Sequence, residues 1–194
     1  MRRHVVFIAV ALAAVIGPAP FAGADGGHPT NSVSVQNTVD GAIRTKAKTK
    51  VAEDYGPTIA PENSAFAYAS CTDCRTVAVA VQVILVVGPV HDARPANSAV
   101  AVNYMCLRCE TFAYANQVLI PVEHDLELSD EAEEQIAQLR GRIAAISASS
   151  ETFDEMSAEL NALTQQLVNV IQDDIRTQTW TGDEDHQMSQ QQAA

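Results

Sequence analysis

Four cysteines, spaced as two Cys-x-x-Cys pairs at Cys71/Cys74 and Cys106/Cys109, are the residues of this chain whose type and spacing could do chemistry. Three readings are open. As structural disulfides, positions i and i+3 of a tight turn lie within about 7 Å, and a disulfide bridges Cα separations of about 4.4 to 6.8 Å. Cross-links within each pair are the favoured connectivity, and links between units, such as Cys71 to Cys106, are the rival. As a zinc site, two such knuckles can supply tetrahedral thiolate ligation, although the 31 residues between Cys74 and Cys106 exceed the usual gap of roughly 15 to 20. As a thiol–disulfide exchange centre, a reactive pair would normally open a helix, whose dipole stabilises the thiolate. Here each pair leads instead into Val- or Phe-rich, strand-like sequence. Asp73 and Glu110 oppose a thiolate, and Arg75 and Arg108 favour one.

The compartment weighs on this choice. Arg2 and Arg3 precede the apolar run VVFIAVALAAVI at residues 5–16, Pro18 and Pro20 break it, and Ala22-Gly23-Ala24 fits a cleavage site. This is the pattern of a secretory signal peptide at 1–24, and the run is shorter than the about 20 residues that span a bilayer. The longest later apolar stretch, residues 77–87, is interrupted by Gln82 and ends at Gly88-Pro89, so no membrane span is expected after signal cleavage. Export places the protein where disulfides persist. The cysteines are therefore expected to cross-link, with thiol–disulfide redox chemistry or zinc ligation as the alternatives, and no cofactor other than zinc.

Other catalytic constellations are not legible. His28, His91, His124 and His186 are scattered, and there is no HExxH, GxSxG or Gly-rich phosphate loop. His91-Asp92 and Glu123-His124-Asp125 read as solvated loop residues. The formal charge of −12 repels phosphate backbones, so nucleic acid is not an expected partner. Acidic residues concentrate after position 122, while Arg44, Lys46, Lys48 and Lys50 form a small basic cluster.

The elements that position the cysteines come as a repeat. NSAFAYASCTDCRTVAVAVQVIL at 63–85 aligns with NSAVAVNYMCLRCETFAYANQVL at 97–119. Asn63 matches Asn97 at an offset of 34; Cys71 matches Cys106, Cys74 matches Cys109 and Gln82 matches Gln117 at an offset of 35. A degenerate, cysteine-free copy starts at Asn31, with Asp40-Gly41 as its turn signal. The units, about 31–51, 63–87 and 97–120, lie within a repeat domain at 25–122. Each reads as strand, tight turn, strand. Val77, Val79, Val81, Val83 and Leu85 alternate with Ala78, Ala80, Gln82 and Ile84, a period of two that argues for strand. Bulky residues on one face and alanines on the other imply a sheet covered on both sides, with close backbone approach at the alanine face. Asn63, Asn97, Gln82 and Gln117 are expected to satisfy turn and inter-strand backbone groups.

The C-terminal third changes period. Ser129 is a good N-cap before Asp130 and Glu131, and Ile136, Leu139, Ile143 and Ile146 recur at helical spacing. Thr152 with Glu155 forms a capping-box pattern, followed by Phe153, Met156, Leu160, Leu163, Leu167 and Val170 on one seam. This predicts an antiparallel helical hairpin over 128–177, with a polar, disordered tail at 178–194. The whole is expected to be an α+β protein: tandem β-hairpins in an antiparallel sheet with CxxC at the turns, then the helical hairpin.

These paired cysteine repeats and the acidic helical pair resemble the C-terminal extracytoplasmic region of actinobacterial peptide zinc metalloprotease proteins, and small exported relatives carrying that region alone. The resemblance covers about residues 31–175. It implies an extracytoplasmic accessory or recognition role toward a protein partner at the cell envelope. It does not imply catalysis, because the HExxH chemistry of that family has no counterpart here.

Overall fold

In a computed structural model of the chain, residues 27–192 are described, with side chains to residue 178. The export signal expected at 1–24 lies outside them, as do the side chains of all but the first residue of the expected tail. Eight strands precede two helices: β1 (Thr30–Asn37), β2 (Ile43–Tyr55), β3 (Thr58–Ile59), β4 (Glu62–Ala69), β5 (Arg75–Val87), β6 (Asp92–Ala93), β7 (Ala96–Asn103), β8 (Glu110–Val122), α1 (Asp130–Ser147) and α2 (Phe153–Gln192). They form three sheets, ordered β1-β4-β7, β2-β5-β8 and β3-β6, and every pairing is parallel.

The antiparallel hairpins expected from the sequence are not seen. The two strands of a unit do not pair through their backbones; each pairs with its counterpart in the next unit, Asn31 with Asn63 and Asn63 with Asn97, Ala47 with Val79 and Val79 with Tyr114. The chain winds as a three-coil parallel solenoid, in which each repeat buries its faces against its neighbours and the repeat period is the length of one turn. The segments read as hairpin tips are corners between two sheets. The residues of β5 are buried on both faces from Thr76 to Val86, as in parallel sheets covered on both sides.

One face of β5 looks into the solenoid. Ala78 and Ala80 pack with Val33, Val35, Ala65 and Ala67 from the facing sheet, the close approach that the alanine face foretold. Adding a branched side chain there overpacks a site with no exposure, so Ala80→Val should cost about 2 kcal/mol. Urea titration should show that loss without a change in the slope of the transition. The other face of β5, Val77, Val79, Val81, Val83 and Leu85, packs against the helices through Ile136, Leu139, Ile143, Met156, Leu160 and Leu167.

The helical hairpin follows the sequence periodicity. Ser129 caps α1 by accepting from the Ala132 N–H at 3.2 Å. Thr152 and Glu155 form the reciprocal capping box, Glu155 N–H to Thr152 Oγ1 at 3.3 Å and Thr152 N–H to Glu155 Oε2 at 3.0 Å. Glu155 Oε2 also accepts from the Thr152 hydroxyl at 2.7 Å; that bond first, and the Thr152 N–H second, hold its carboxyl below the ordinary pKa. Arg142 meets Gln166, and Ser129 meets Asp174, so the helices run antiparallel. The backbone of α2 continues as helix to Gln192, beyond residue 177 where the apolar seam ends. No helix among the described residues is long and apolar enough to cross a membrane.

Glu53, near the end of β2, ties the connection between β8 and α1 to the first coil by accepting from the Leu126 N–H at 3.0 Å. Its other oxygen accepts from the Tyr55 hydroxyl. That bond, with burial and the Glu53 and Asp125 charges behind it, pushes the Tyr55 phenol up to about 12. A raised folded pKa means that the bond contributes below the ordinary pKa of about 10 and is lost as pH rises toward 12. Phenolate absorbance should show one late-titrating tyrosine that Tyr55→Phe removes; if Tyr55→Phe leaves the alkaline curve unchanged in shape, the bond is not formed.

Candidate cysteine centre

The cysteines sit where the chain turns from one large sheet to the other. Three equivalent corner residues, Gly41, Asp73 and Arg108, adopt left-handed backbone with φ of 70°, 54° and 54°. Each coil donates here to the next: the Gly41 N–H bonds to the Thr72 carbonyl and the Asp73 N–H to the Leu107 carbonyl, both at 2.9 Å. The first coil makes this turn with glycine, which tolerates positive φ. The second uses Asp73, which tolerates it at some cost, and the third Arg108, for which it is unfavourable; these are the two corners that carry CxxC.

Within each corner the sulfurs lie at disulfide distance, Cys71 with Cys74 and Cys106 with Cys109, at Cα separations of 6.1 Å and 5.8 Å. The first pair is buried and the second half-exposed. In-register stacking puts one pair on the other: Cys74 Sγ is 3.4 Å from Cys109 Sγ, and all four sulfurs lie within 4.8 Å of one another. The convergence that inter-unit links or zinc ligation would need is present, but it comes from parallel stacking of the coils and not from the antiparallel hairpins expected.

Backbone carbonyls line the cluster. Asn37 O is 3.2 Å from Cys71 Sγ, and Cys71 O is 2.8 Å from Cys109 Sγ. Paired sulfurs carry no proton, so these approaches are sulfur–carbonyl contacts rather than hydrogen bonds. A thiolate in the same place would face oxygen lone pairs instead of N–H donors. Each pair leads directly into a strand, Arg75–Val87 or Glu110–Val122, so neither opens a helix that would stabilise a thiolate.

Charged side chains clamp the corner from outside. Arg108 pairs with Asp73 across the coils, which raises the guanidinium pKa and lowers that of the carboxyl, their mutual hydrogen bond being the main cause. Arg75 bonds to Glu110 and to the Glu151 carbonyl, each at 2.5 Å. Its guanidinium lies 4.6 Å over the Phe153 ring. The corner is thereby tied to the start of α2. Asn37 closes the equivalent corner of the first coil, donating to the carbonyls of Ala42 at 2.8 Å and Arg75 at 3.2 Å. The offsets of 32 from Gly41 to Asp73 and 35 from Asp73 to Arg108 were the sequence signal for this corner row.

The repeated amides form two rows inside the solenoid, away from the cysteines. Asn31 Nδ2 donates to Asn63 Oδ1, and Asn63 Nδ2 to Asn97 Oδ1, both at 2.9 Å. Asn63 Nδ2 also reaches the Ala80 carbonyl at 3.1 Å and the Asn116 carbonyl at 3.0 Å, tying one sheet to the other. Gln117 Nε2 donates to Gln82 Oε1 at 2.8 Å, and the two glutamines reach the carbonyls of Pro61 and Pro29 respectively. From the sequence Asn31 stands at the start of the first copy, but the amide role expected of Asn63 and Asn97 was not extended to it.

The histidines remain dispersed. His28 bonds to the buried Asp54 carboxylate at 3.0 Å, and His186 lies among the residues whose side chains are not described. Among the described residues, the four cysteines are the group whose ligand atoms converge tightly enough for a metal. No family model matches this chain, and no curated protein or solved structure matches it.

Proposed function

We propose that this chain is an exported, non-catalytic interaction module: a short solenoid whose cysteine corners are locked by two stacked disulfides. The observation that carries the reading is the corner itself. Each CxxC is paired within its own turn, carbonyl oxygens rather than N–H donors face the sulfurs, and both turns run straight into strand. These are the properties of a cross-link that holds a left-handed corner built without glycine. Disulfides of this kind persist outside the cytoplasm, in keeping with the signal-like segment at 1–24. The resemblance to extracytoplasmic regions of membrane-bound peptidases supports a partner at the cell envelope.

A second reading has one observation in its favour. Tetrahedral zinc with Zn–S bonds of about 2.3 Å sets its sulfurs about 3.8 Å apart, and all four sulfurs here already lie within 4.8 Å. With both disulfides reduced, Cys71, Cys74, Cys106 and Cys109 would be the ligands. Thiol titration of natively harvested protein in denaturant, with elemental analysis of the same sample, separates the two. The first reading expects no free thiol and no zinc. Four thiols with one zinc per chain would replace it with the second.

A further inference from the structure

The two ends of the solenoid are built differently. In the first coil the inward positions of β2 are Arg44, Lys46, Lys48 and Lys50, in register with Thr76, Ala78, Ala80 and Gln82 of the next coil. Lys50 Nζ reaches back to the Thr30 carbonyl at 3.1 Å. Burial, and then the neighbouring Lys48 charge, lowers the Lys50 pKa, as for an ammonium held on a stem laid over the end of the core. Beneath these side chains Asn31, Val33, Val35 and Asn37 are all buried. This is a capping coil, with inward-pointing charges that block further strand addition.

The last coil has no such cap. Asn97, Ala99 and Ala101 of β7 stand in register with Asn63, Ala65 and Ala67, which are at most 2% exposed, yet all three are exposed. The inward residues of β8 facing them, Ala113, Ala115 and Gln117, are half-exposed. The same end displays Val100, Tyr104, Met105 and Leu107, with Met105 at 83% exposure. Its charges sum to zero in a chain of net charge −12: Asp92 pairs with Arg94 within the coil, while Arg108 and Glu110 pair with Asp73 and Arg75 of the second coil. By composition and exposure the third coil is an internal coil upon which none of the described residues stacks.

We infer that the β7–β8 end docks a second copy of this chain, last coil to last coil, through antiparallel pairing of the exposed strand edges about a two-fold axis. Charge selects this occupant. A head-to-tail stack would bury the four cations of the β2 end against a neutral alanine surface, which is costly without counter-charges. The neutral end meets its own copy without that cost, and a two-fold contact closes rather than growing into a fibre. Both remaining ends of the dimer would then be lysine-capped. The inference rests on the interaction-module reading and adds a second copy of the chain as a partner beside the envelope partner proposed above, but it does not depend on the oxidation state of the cysteines.

Sedimentation velocity on the exported chain, from low to high micromolar concentration, should show a dimer. Ala113→Lys with Ala115→Lys transplants the cap, since these positions correspond through Ala78 and Ala80 to Lys46 and Lys48. This variant should sediment as a monomer and keep a cooperative unfolding transition. If it fails to fold, wild-type hydrogen exchange decides: amides of Ala96–Asn103 should be protected more strongly as concentration rises. A wild type that stays monomeric over the whole range, a folded double-lysine variant that still dimerises, or exchange in β7 independent of concentration would each overturn the proposal. Thiol content is measured apart from assembly, so a monomer with no free thiol would fail only this inference.

Discussion

Asn63→Asp should destabilise the protein by about 4 kcal/mol at neutral pH, as expected for an uncompensated buried charge, although it changes one atom and no volume. The Asn63 amide is 2% exposed, and its nitrogen is shared among Asn97 Oδ1, the Ala80 carbonyl and the Asn116 carbonyl. An aspartate oxygen in that place faces three oxygens with nothing to donate. The sole compensation is the Asn31 amide, which already donates to the other oxygen. Protonation restores one donor, so the carboxyl is driven above its ordinary pKa in the folded state. The sign follows: the deficit is smallest below the unfolded value of about 3.9 and grows as pH rises through the raised folded value. Urea titrations of wild type and variant at acid and neutral pH measure this. A loss independent of pH would show that the amide row is not as described.

Full reduction of both cysteine pairs should lower the unfolding free energy by about 4 kcal/mol, about 2 for each four-residue loop by the chain-entropy relation. The solenoid should persist, because its ladders and amide rows do not involve sulfur and small domains carry roughly 5 to 15 kcal/mol of stability. Cys71→Ser with Cys74→Ser should show about half the effect in the oxidised protein, allowing for the buried position of that pair. The comparison is a urea midpoint with and without a phosphine reductant, with thiol release verified. An unchanged midpoint after verified release would mean that the corners need no cross-link.

Much of the local structure was legible in the sequence. Periodicity at Ile136, Leu139 and Ile143, and at Met156, Leu160 and Leu167, fixed the helices because a core-facing stripe recurs every three to four residues. Alternation from Val77 to Leu85 fixed a long strand, and its alanine face was rightly read as one of close approach. Pairing was not legible in the same way. A strand, a short connection and a second strand look alike in a hairpin and in a solenoid corner, and alternation does not say which strand is the neighbour. The discriminating signal was present in the spacing: Asn31, Asn63 and Asn97 recur at 32 and 34 residues, and a polar residue repeated at an inward position is satisfied by stacking on its own copies. Gly41, Asp73 and Arg108 share a repeat position and a left-handed backbone, but as three different residue types they did not announce it. Once the units stack in register, the convergence of the four sulfurs follows without further assumption.

A tryptic map of the unreduced, alkylated protein tests the pairing most directly. Cleavage after Lys50 and Arg75 releases residues 51–75, which contain Cys71 and Cys74, while cleavage after Arg108 separates Cys106 from Cys109. The account predicts that peptide 51–75 runs alone, two hydrogens lighter than its reduced mass and without alkylation, and that the peptides carrying Cys106 and Cys109 remain joined. Peptide 51–75 cross-linked to either of the others, or carrying alkylated cysteines, would contradict it.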